Sequence, residues 1–185
     1  ILTQNVAWKN VEKALGALKR IKILSPRKLH KAEDKIIASC IKPAGYYNQK
    51  TIKIKNFLNW FKTINYSFDE LKKLKTDILR ERLLEINGIG PETADSILLY
   101  AMDRKIFVID AYTRRIFSRL NLTSIDDSYD SVQKFFHKEF NGTIKKYNEY
   151  HALIVAHGKD ICKNKPLCSG CCLNHTCFYY SEIQS

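Results

Sequence analysis

The chain lacks any apolar run approaching the roughly 20 residues that a membrane-spanning helix requires. No charged segment followed by an apolar stretch reads as a signal peptide. Both absences point to an intracellular, cytoplasmic protein with no membrane partner. No period-2 alternation competes with helical spacing, and there is no internal repeat or low-complexity linker. Cysteine is scarce outside one stretch: of six, five crowd into residues 162 to 177 and only Cys40 lies elsewhere. In a reducing compartment such crowding suggests metal or cluster ligation rather than a disulfide framework. Cys40 falls on an apolar helical stretch and reads as a buried free thiol. Ile1 rather than methionine opens the chain, which leaves open whether an N-terminal piece preceded it.

What is present is a chain of 185 residues, enough for one sizeable domain or two small lobes. Its 31 basic and 19 acidic residues leave a net charge of +12, which suits a polyanion such as nucleic acid. A solvated lysine-rich surface would give the same count. The periodicity is helical throughout. Ala7, Val11, Ala14, Leu15 and Leu18 share one helical face, and Ile54, Phe57, Leu58, Phe61 and Ile64 share another. The pattern predicts helices over about 27–41, from a capping box at Ser67 to Glu70 toward Leu84, and then near 111–120, 129–139 and 144–157. The expectation is an all-α body with a cysteine-rich C-terminal appendage.

Between two of these helices stands "INGIGPETAD". Glycine at 88 and 90 permits positive φ and close approach of another backbone, and Pro91 suits a first helical turn. Backbone N–H groups at such a helix start form an anion site, and on a basic chain the anion is a DNA phosphate. An ordinary glycine-capped turn between helices remains the alternative. Asp110 precedes "AYTRRIFSRL", where a helix N-terminus favours the ionised carboxylate; a plain N-cap and a catalytic carboxylate are both open. Cys162, Cys168, Cys171 and Cys177 give C-x5-C-x2-C-x5-C, which suits a [4Fe–4S] cube or a tetrahedral zinc. Cys172 could replace Cys171 only by changing both intervals. His151 and His157, nearby, read as packing or hydrogen-bonding residues.

These motifs resemble the endonuclease III superfamily of DNA glycosylases. Its helix-hairpin-helix element reads L-P-G-[VI]-G-x-x-T-A, followed by a V-D; here stand "INGIGPETA" and "FVIDAYTRRIF". The resemblance runs from "ILTQN" to the last cysteine. It implies a two-lobed fold, with residues 1–104 forming a six-helix-type lobe that contains the hairpin element (about 78–103). Residues 105–185 would carry the catalytic aspartate and a C-terminal [4Fe–4S] loop. A helical segment that precedes "ILTQN" in the family has no counterpart here. The family's cluster spacing is C-x6-C-x2-C-x5-C, one residue longer in its first interval.

The resemblance implies base excision repair on damaged double-stranded DNA by a monomer. Asp110 would be the catalytic residue, and Gly88, Ile89, Gly90, Glu92 and Thr93 the phosphate-binding hairpin. Gln4 would fill the gap left by the flipped base, or else belong to a helix start. Lys163 and Lys165 would contact DNA phosphates beside the cluster. Glu92 occupies the place where lyase members of the family carry a lysine, and a carboxylate cannot form a Schiff base. That implies hydrolysis without an efficient lyase step, with Glu92 either lining the pocket or only complementing the helix dipole. The bacterial 3-methyladenine glycosylases show similar "ILTQN", "GYYNQKA" and "GIGKESADAIL" segments, beside "ILTQN", "GYYNQKT" and "GIGPETADSIL" here. By that likeness Trp8 lines a pocket for a cationic alkylated purine, though a core place on the first helix is equally open. The alternatives are a bifunctional glycosylase with lyase activity, and a non-catalytic DNA-binding iron–sulfur or zinc protein.

Overall fold

The structure, a computed structural model describing residues 1–184, is helical as expected, with no strand among the described residues. The α-helices are α1 (Trp8–Arg20), α2 (Pro26–Lys31), α3 (Asp34–Ile41), α4 (Tyr47–Thr63), α5 (Phe68–Lys73), α6 (Thr76–Leu84), α7 (Pro91–Ala101), α8 (Ala111–Arg119), α9 (Tyr129–Glu139), α10 (Ile144–Asp160) and α11 (Phe178–Gln184). None of them is long and apolar enough to cross a membrane. The chain divides into two compact units, Ile1–Thr93 and Ala94–Ser185.

Two expected helices are each broken once. The helix expected over 27–41 stops at Ala32 and restarts after Glu33, both extended. Lys55 of α4 stabilises the break by donating to the carbonyls of His30 (2.7 Å) and Ala32 (2.6 Å). Carbonyls at a helix end need such partners. The helix expected from Ser67 to Leu84 breaks at Leu74 and Lys75. In an unbroken helix the step from Leu71 to Leu79 would turn about 80° off one face, yet both side chains are fully buried. The Ser67 cap itself forms, with its hydroxyl accepting from the Glu70 N–H at 3.3 Å. The Glu70 carboxylate pairs with Lys73 at 2.6 Å instead of reaching back to the cap.

In the first unit Ala14 and Leu18 of α1, Ile37 and Ile41 of α3, Ala44, and Ile54 and Leu58 of α4 form the core. Cys40 packs against it, half-buried rather than enclosed. Lys50 of α4 is only 2% exposed. Its ammonium donates to the carbonyls of Leu2 (3.0 Å), Gln4 (2.7 Å) and Ala44 (2.8 Å), which uses all three of its protons. Burial, and then the charge of Lys53, lower its pKa.

The second unit has an aromatic core. Phe107 stacks on Phe136 with ring centroids 4.1 Å apart, and Phe117 lies 4.4 Å from Phe136. Tyr147 meets Phe107 edge-on. Phe107 belongs to no helix. It lies in a buried segment outside any helix or strand, from Ile106 to Asp110, every residue of which is at least nine-tenths covered. A buried backbone outside secondary structure must find its hydrogen bonds elsewhere. Three residues at four-residue spacing on α9 supply several of them. His137 Nε2 accepts from the Phe107 N–H (3.0 Å), the Tyr129 hydroxyl accepts from the Ile109 N–H (3.2 Å), and Gln133 Nε2 donates to the Phe107 carbonyl (2.7 Å). Beneath them Asp95 of α7, fully buried, accepts from the Tyr129 hydroxyl (2.8 Å) and from Gln133 Nε2 (2.7 Å).

Helices α8 and α10 pack closely where Gly158 lies against Tyr112. A Cβ at 158 would sit 2.7 Å from Tyr112 Cδ1 and 2.8 Å from its Cβ. The second of these atoms is close to the backbone and cannot swing aside. Gly158→Ala is therefore expected to lower stability by about 1–3 kcal/mol in urea unfolding, the usual cost of overpacking a well-filled contact.

Candidate nucleic-acid interface and carboxylate site

The hairpin between α6 and α7 belongs to the first unit through Thr93. Gly88 has φ +99°, the left-handed region that glycine alone adopts readily. A Cβ there would lie 2.3 Å from Lys53 Cγ, because the lysine stem runs under the turn. Gly90 does not use the positive φ that a glycine permits. A Cβ at 90 would meet nothing within 4 Å, so its value lies in the bare face it leaves. The Ile89 side chain is buried, and its N–H donates to the Ile86 carbonyl at 2.9 Å. The Gly90 N–H has no acceptor among the described residues and stands at the entrance to α7. Glu92 is exposed in the first turn of that helix, and Thr93 is half-buried.

Gln4 is joined to this hairpin. Its Nε2 donates to Thr93 Oγ1 (2.9 Å) and to the Gly88 carbonyl (3.3 Å), while its Oε1 accepts from Lys53 Nζ (2.8 Å). It does not serve a helix start, since α1 begins after Ala7 without any side-chain cap. Trp8, at the first position of α1, is 61% exposed, so the core alternative for it does not hold.

In the second unit Asp110 caps α8 as the sequence indicates. Its Oδ1 accepts from the Thr113 N–H (2.7 Å) and the Thr113 hydroxyl (2.9 Å). The residue is 9% exposed. Burial, the largest influence, pushes its pKa up. The nearby His151, the Thr113 N–H and the Thr113 hydroxyl together outweigh it and hold the carboxyl below its ordinary value. His151 Nε2 stands 3.5 Å from Oδ2, an ion-pair distance longer than a good hydrogen bond. Sequence alone read His151 as a packing or hydrogen-bonding residue without naming a partner, and α10 creates this pairing across about forty residues of chain.

The cysteines gather at the ends of α8 and α10. Burial, and then the neighbouring Cys177, Cys162 and Cys171, push the Cys168 thiol up, whereas Cys172 is exposed. Arg119, which the sequence did not single out, joins them. It donates to Cys162 Sγ (3.3 Å) and to the Lys163 carbonyl (2.6 Å), and its own carbonyl accepts from Cys177 Sγ (3.6 Å). Arg115, one turn earlier, donates to the carbonyls of Cys162 (2.9 Å) and Gly158 (2.7 Å). Lys163 and Lys165 are exposed on the loop so held. Among the described residues no three His, Cys, Asp or Glu side chains stand close enough to hold a metal ion as they are.

A helical chain with a glycine hairpin opening one helix and a buried aspartate capping the next has the features of a DNA glycosylase of base excision repair. Residues 1–141 match the HhH-GPD superfamily of base excision DNA repair proteins, and the chain belongs to that family. It is 44% identical over 179 residues to a protein of Methanocaldococcus jannaschii provisionally named a DNA repair glycosylase, spanning 96% of this chain and 81% of that one. It is 30% identical over 184 residues to the endonuclease III of Sulfolobus acidocaldarius, spanning 98% and 80%. Among solved structures, the H. pylori 3-methyladenine DNA glycosylase bound to 1,N6-ethenoadenine matches at 31% identity with a TM-score of 0.74, covering 85% of this chain and 80% of that one. A non-covalent endonuclease III–DNA complex matches at 22% identity with a TM-score of 0.82, covering 99% and 81%, and shows the shared fold.

The two hairpin glycines should separate in unfolding experiments. Gly88→Ala combines a strained φ with a clash against Lys53 and is expected to cost about 1–3 kcal/mol. Gly90→Ala is expected to stay within about 0.5 kcal/mol of wild type, as substitutions into open space do. Equal losses at the two positions in urea melts would contradict the geometry.

Proposed function

We propose that the chain is a monofunctional DNA glycosylase, which acts as a monomer on duplex DNA and hydrolyses the N-glycosidic bond of a flipped-out alkylated purine. Asp110 carries the reading. It is an almost fully buried carboxylate held in its ionised form, with Oδ1 occupied by Thr113 and Oδ2 without a short hydrogen bond. As the bond between the sugar C1′ and the base nitrogen breaks, its electron pair departs with the cationic base, which leaves neutral, and positive charge grows on the sugar, where a fixed carboxylate stabilises it. The same oxygen can orient a water, whose hydroxyl joins C1′ while its proton passes to the carboxylate.

The hairpin contributes binding. The free Gly90 N–H at the start of α7 suits a phosphate oxygen, with Gly88, Ile89, Glu92 and Thr93 shaping the turn. Lys163 and Lys165 add phosphate contacts without sequence preference. Exposed Trp8 offers a face on which a cationic base can stack. The likeness to the H. pylori 3-methyladenine enzyme supports an alkylated purine. Gln4 plugs the vacated stack by exchanging its bonds to Gly88 and Thr93 for the edge of the orphaned base. Glu92, where a lyase would carry its lysine, supports simple hydrolysis.

Cys162, Cys168, Cys171 and Cys177 are the donors a [4Fe–4S] cluster would use, and the other three lie near enough to Cys168 to push its thiol up. Such a group would shape the Lys163–Lys165 loop rather than take part in base release.

Two experiments test the proposal. End-labelled duplexes carrying an alkylated purine, an oxidised pyrimidine or a mismatch are incubated with wild type and Asp110→Asn, with and without hot alkali. Alkali-dependent breaks at the alkylated purine, reduced about 10²–10⁴-fold in Asp110→Asn, are expected. Breaks without alkali, or a borohydride-trapped adduct, would make the enzyme bifunctional. DNA binding with no base release would make it a binding protein. Separately, Cys168→Ser is expected to lose bound iron and visible absorbance while Cys172→Ser keeps both; zinc in place of iron would overturn the cluster assignment.

A further inference from the structure

We propose that His151 and Tyr100 form a positioning relay for Asp110, in which the imidazole orients the carboxylate oxygen that serves base release and the tyrosine fixes the imidazole. The proposal rests on Asp110 being the working carboxylate.

His151 projects from α10 and is 8% exposed, against the edge of the Phe107 ring. Its two nitrogens are treated differently. Nδ1 lies 2.5 Å from the Tyr100 hydroxyl, on α7. Nε2 is buried, has no hydrogen-bond partner, and points toward Asp110 Oδ2 at 3.5 Å. An unsatisfied buried nitrogen is costly and calls for an explanation. Beside a carboxylate, the proton belongs on Nε2, which leaves Nδ1 to accept from the Tyr100 hydroxyl; the network assigns this tautomer. The tyrosine is suited to remain a donor, since burial and then the negative Asp110 keep its phenol protonated.

Thr113 already occupies Oδ1, so His151 faces the one oxygen left for chemistry. At 3.5 Å the imidazole limits rotation of the carboxylate without filling its lone pairs. Contacts of this kind are often long in the free enzyme and tighten in the reacting complex. His151 from α10 and Tyr100 from α7 are the titratable groups that face Asp110.

The test is single-turnover base release against pH for wild type, His151→Ala, His151→Gln, Tyr100→Phe and Asp110→Asn. The substrate is the duplex that wild type cleaves fastest in the panel above. Affinity for a duplex with a tetrahydrofuran abasic-site analogue is measured alongside. His151→Ala is expected to slow release about 10- to 100-fold, the cost of a misplaced reacting group, with affinity unchanged. The acid limb should move to higher pH, because burial still pushes the Asp110 carboxyl up and the imidazole no longer opposes it. His151→Gln, whose amide N–H can face Oδ2, should recover most of the rate, and Tyr100→Phe should fall between.

An unmoved acid limb in His151→Ala, or a glutamine variant as slow as the alanine one, overturns the relay. If Asp110→Asn releases base at the wild-type rate, the Asp110 reading itself fails and the relay with it. An inactive Asp110→Asn with an unmoved limb in His151→Ala sinks the relay alone. Imidazole ¹⁵N spectra give a readout free of activity: His151 should show the Nε2–H tautomer, and its signals should change in Asp110→Asn. An unchanged His151 signal there contradicts the proposal.

Discussion

The second unit depends on one constraint, that a stretch of backbone outside any helix lies in an aromatic core with no neighbouring strand to bond it. Phe107 must be buried against Phe136, Phe117 and Tyr147, and burying it takes the adjoining amides out of water. Helix α9 answers with a polar stripe, Tyr129, Gln133 and His137, on the face it turns inward. Asp95 then accepts from the Tyr129 hydroxyl and from Gln133 Nε2 on that stripe. The result is a peptide held at several points immediately before Asp110, so the carboxylate begins its helix from a fixed position. Buried polar networks of this kind are useful only when fully satisfied, and their completeness sets rigidity as much as stability.

Asp110 itself is a balance of opposed influences. Burial disfavours its charge, while His151 and the Thr113 N–H and hydroxyl favour it, and the favourable group prevails. A carboxylate kept anionic in so enclosed a place interacts strongly with any positive charge that appears beside it, because little water is present to screen the field. The hairpin uses the same economy at a smaller scale. Gly88 accepts the Lys53 stem beneath it, Lys53 reaches Gln4, and Gln4 returns to Gly88 and Thr93, which closes a ring of contacts around the turn.

Much of this was legible in the sequence, and the divide follows range. Helical faces, the Ser67 cap, the positive φ at Gly88 and the Asp110 cap depend on residues a few positions apart, which periodicity and capping chemistry express directly. The breaks at Ala32–Glu33 and Leu74–Lys75 were not legible, because one answers to Lys55 reaching from another helix and the other to the burial of both Leu71 and Leu79. For the same reason the sequence showed Asp110 but not His151 or Tyr100, and four cysteines but not Arg119. It placed Gly88 and Gly90 together, although only one uses the conformational freedom of glycine and the other leaves open space.

The lysines of α4 change what the net charge means. Lys50, Lys53 and Lys55 are occupied as internal braces on carbonyls and on an amide oxygen. Sodium and chloride outside the protein see little of Lys50, and a polyanion approaching the surface cannot bond to protons already given to the backbone. The ion atmosphere that a docking polyanion would displace is therefore set chiefly by the outward-facing cations. Part of the +12 is scaffolding whose charge happens to be positive.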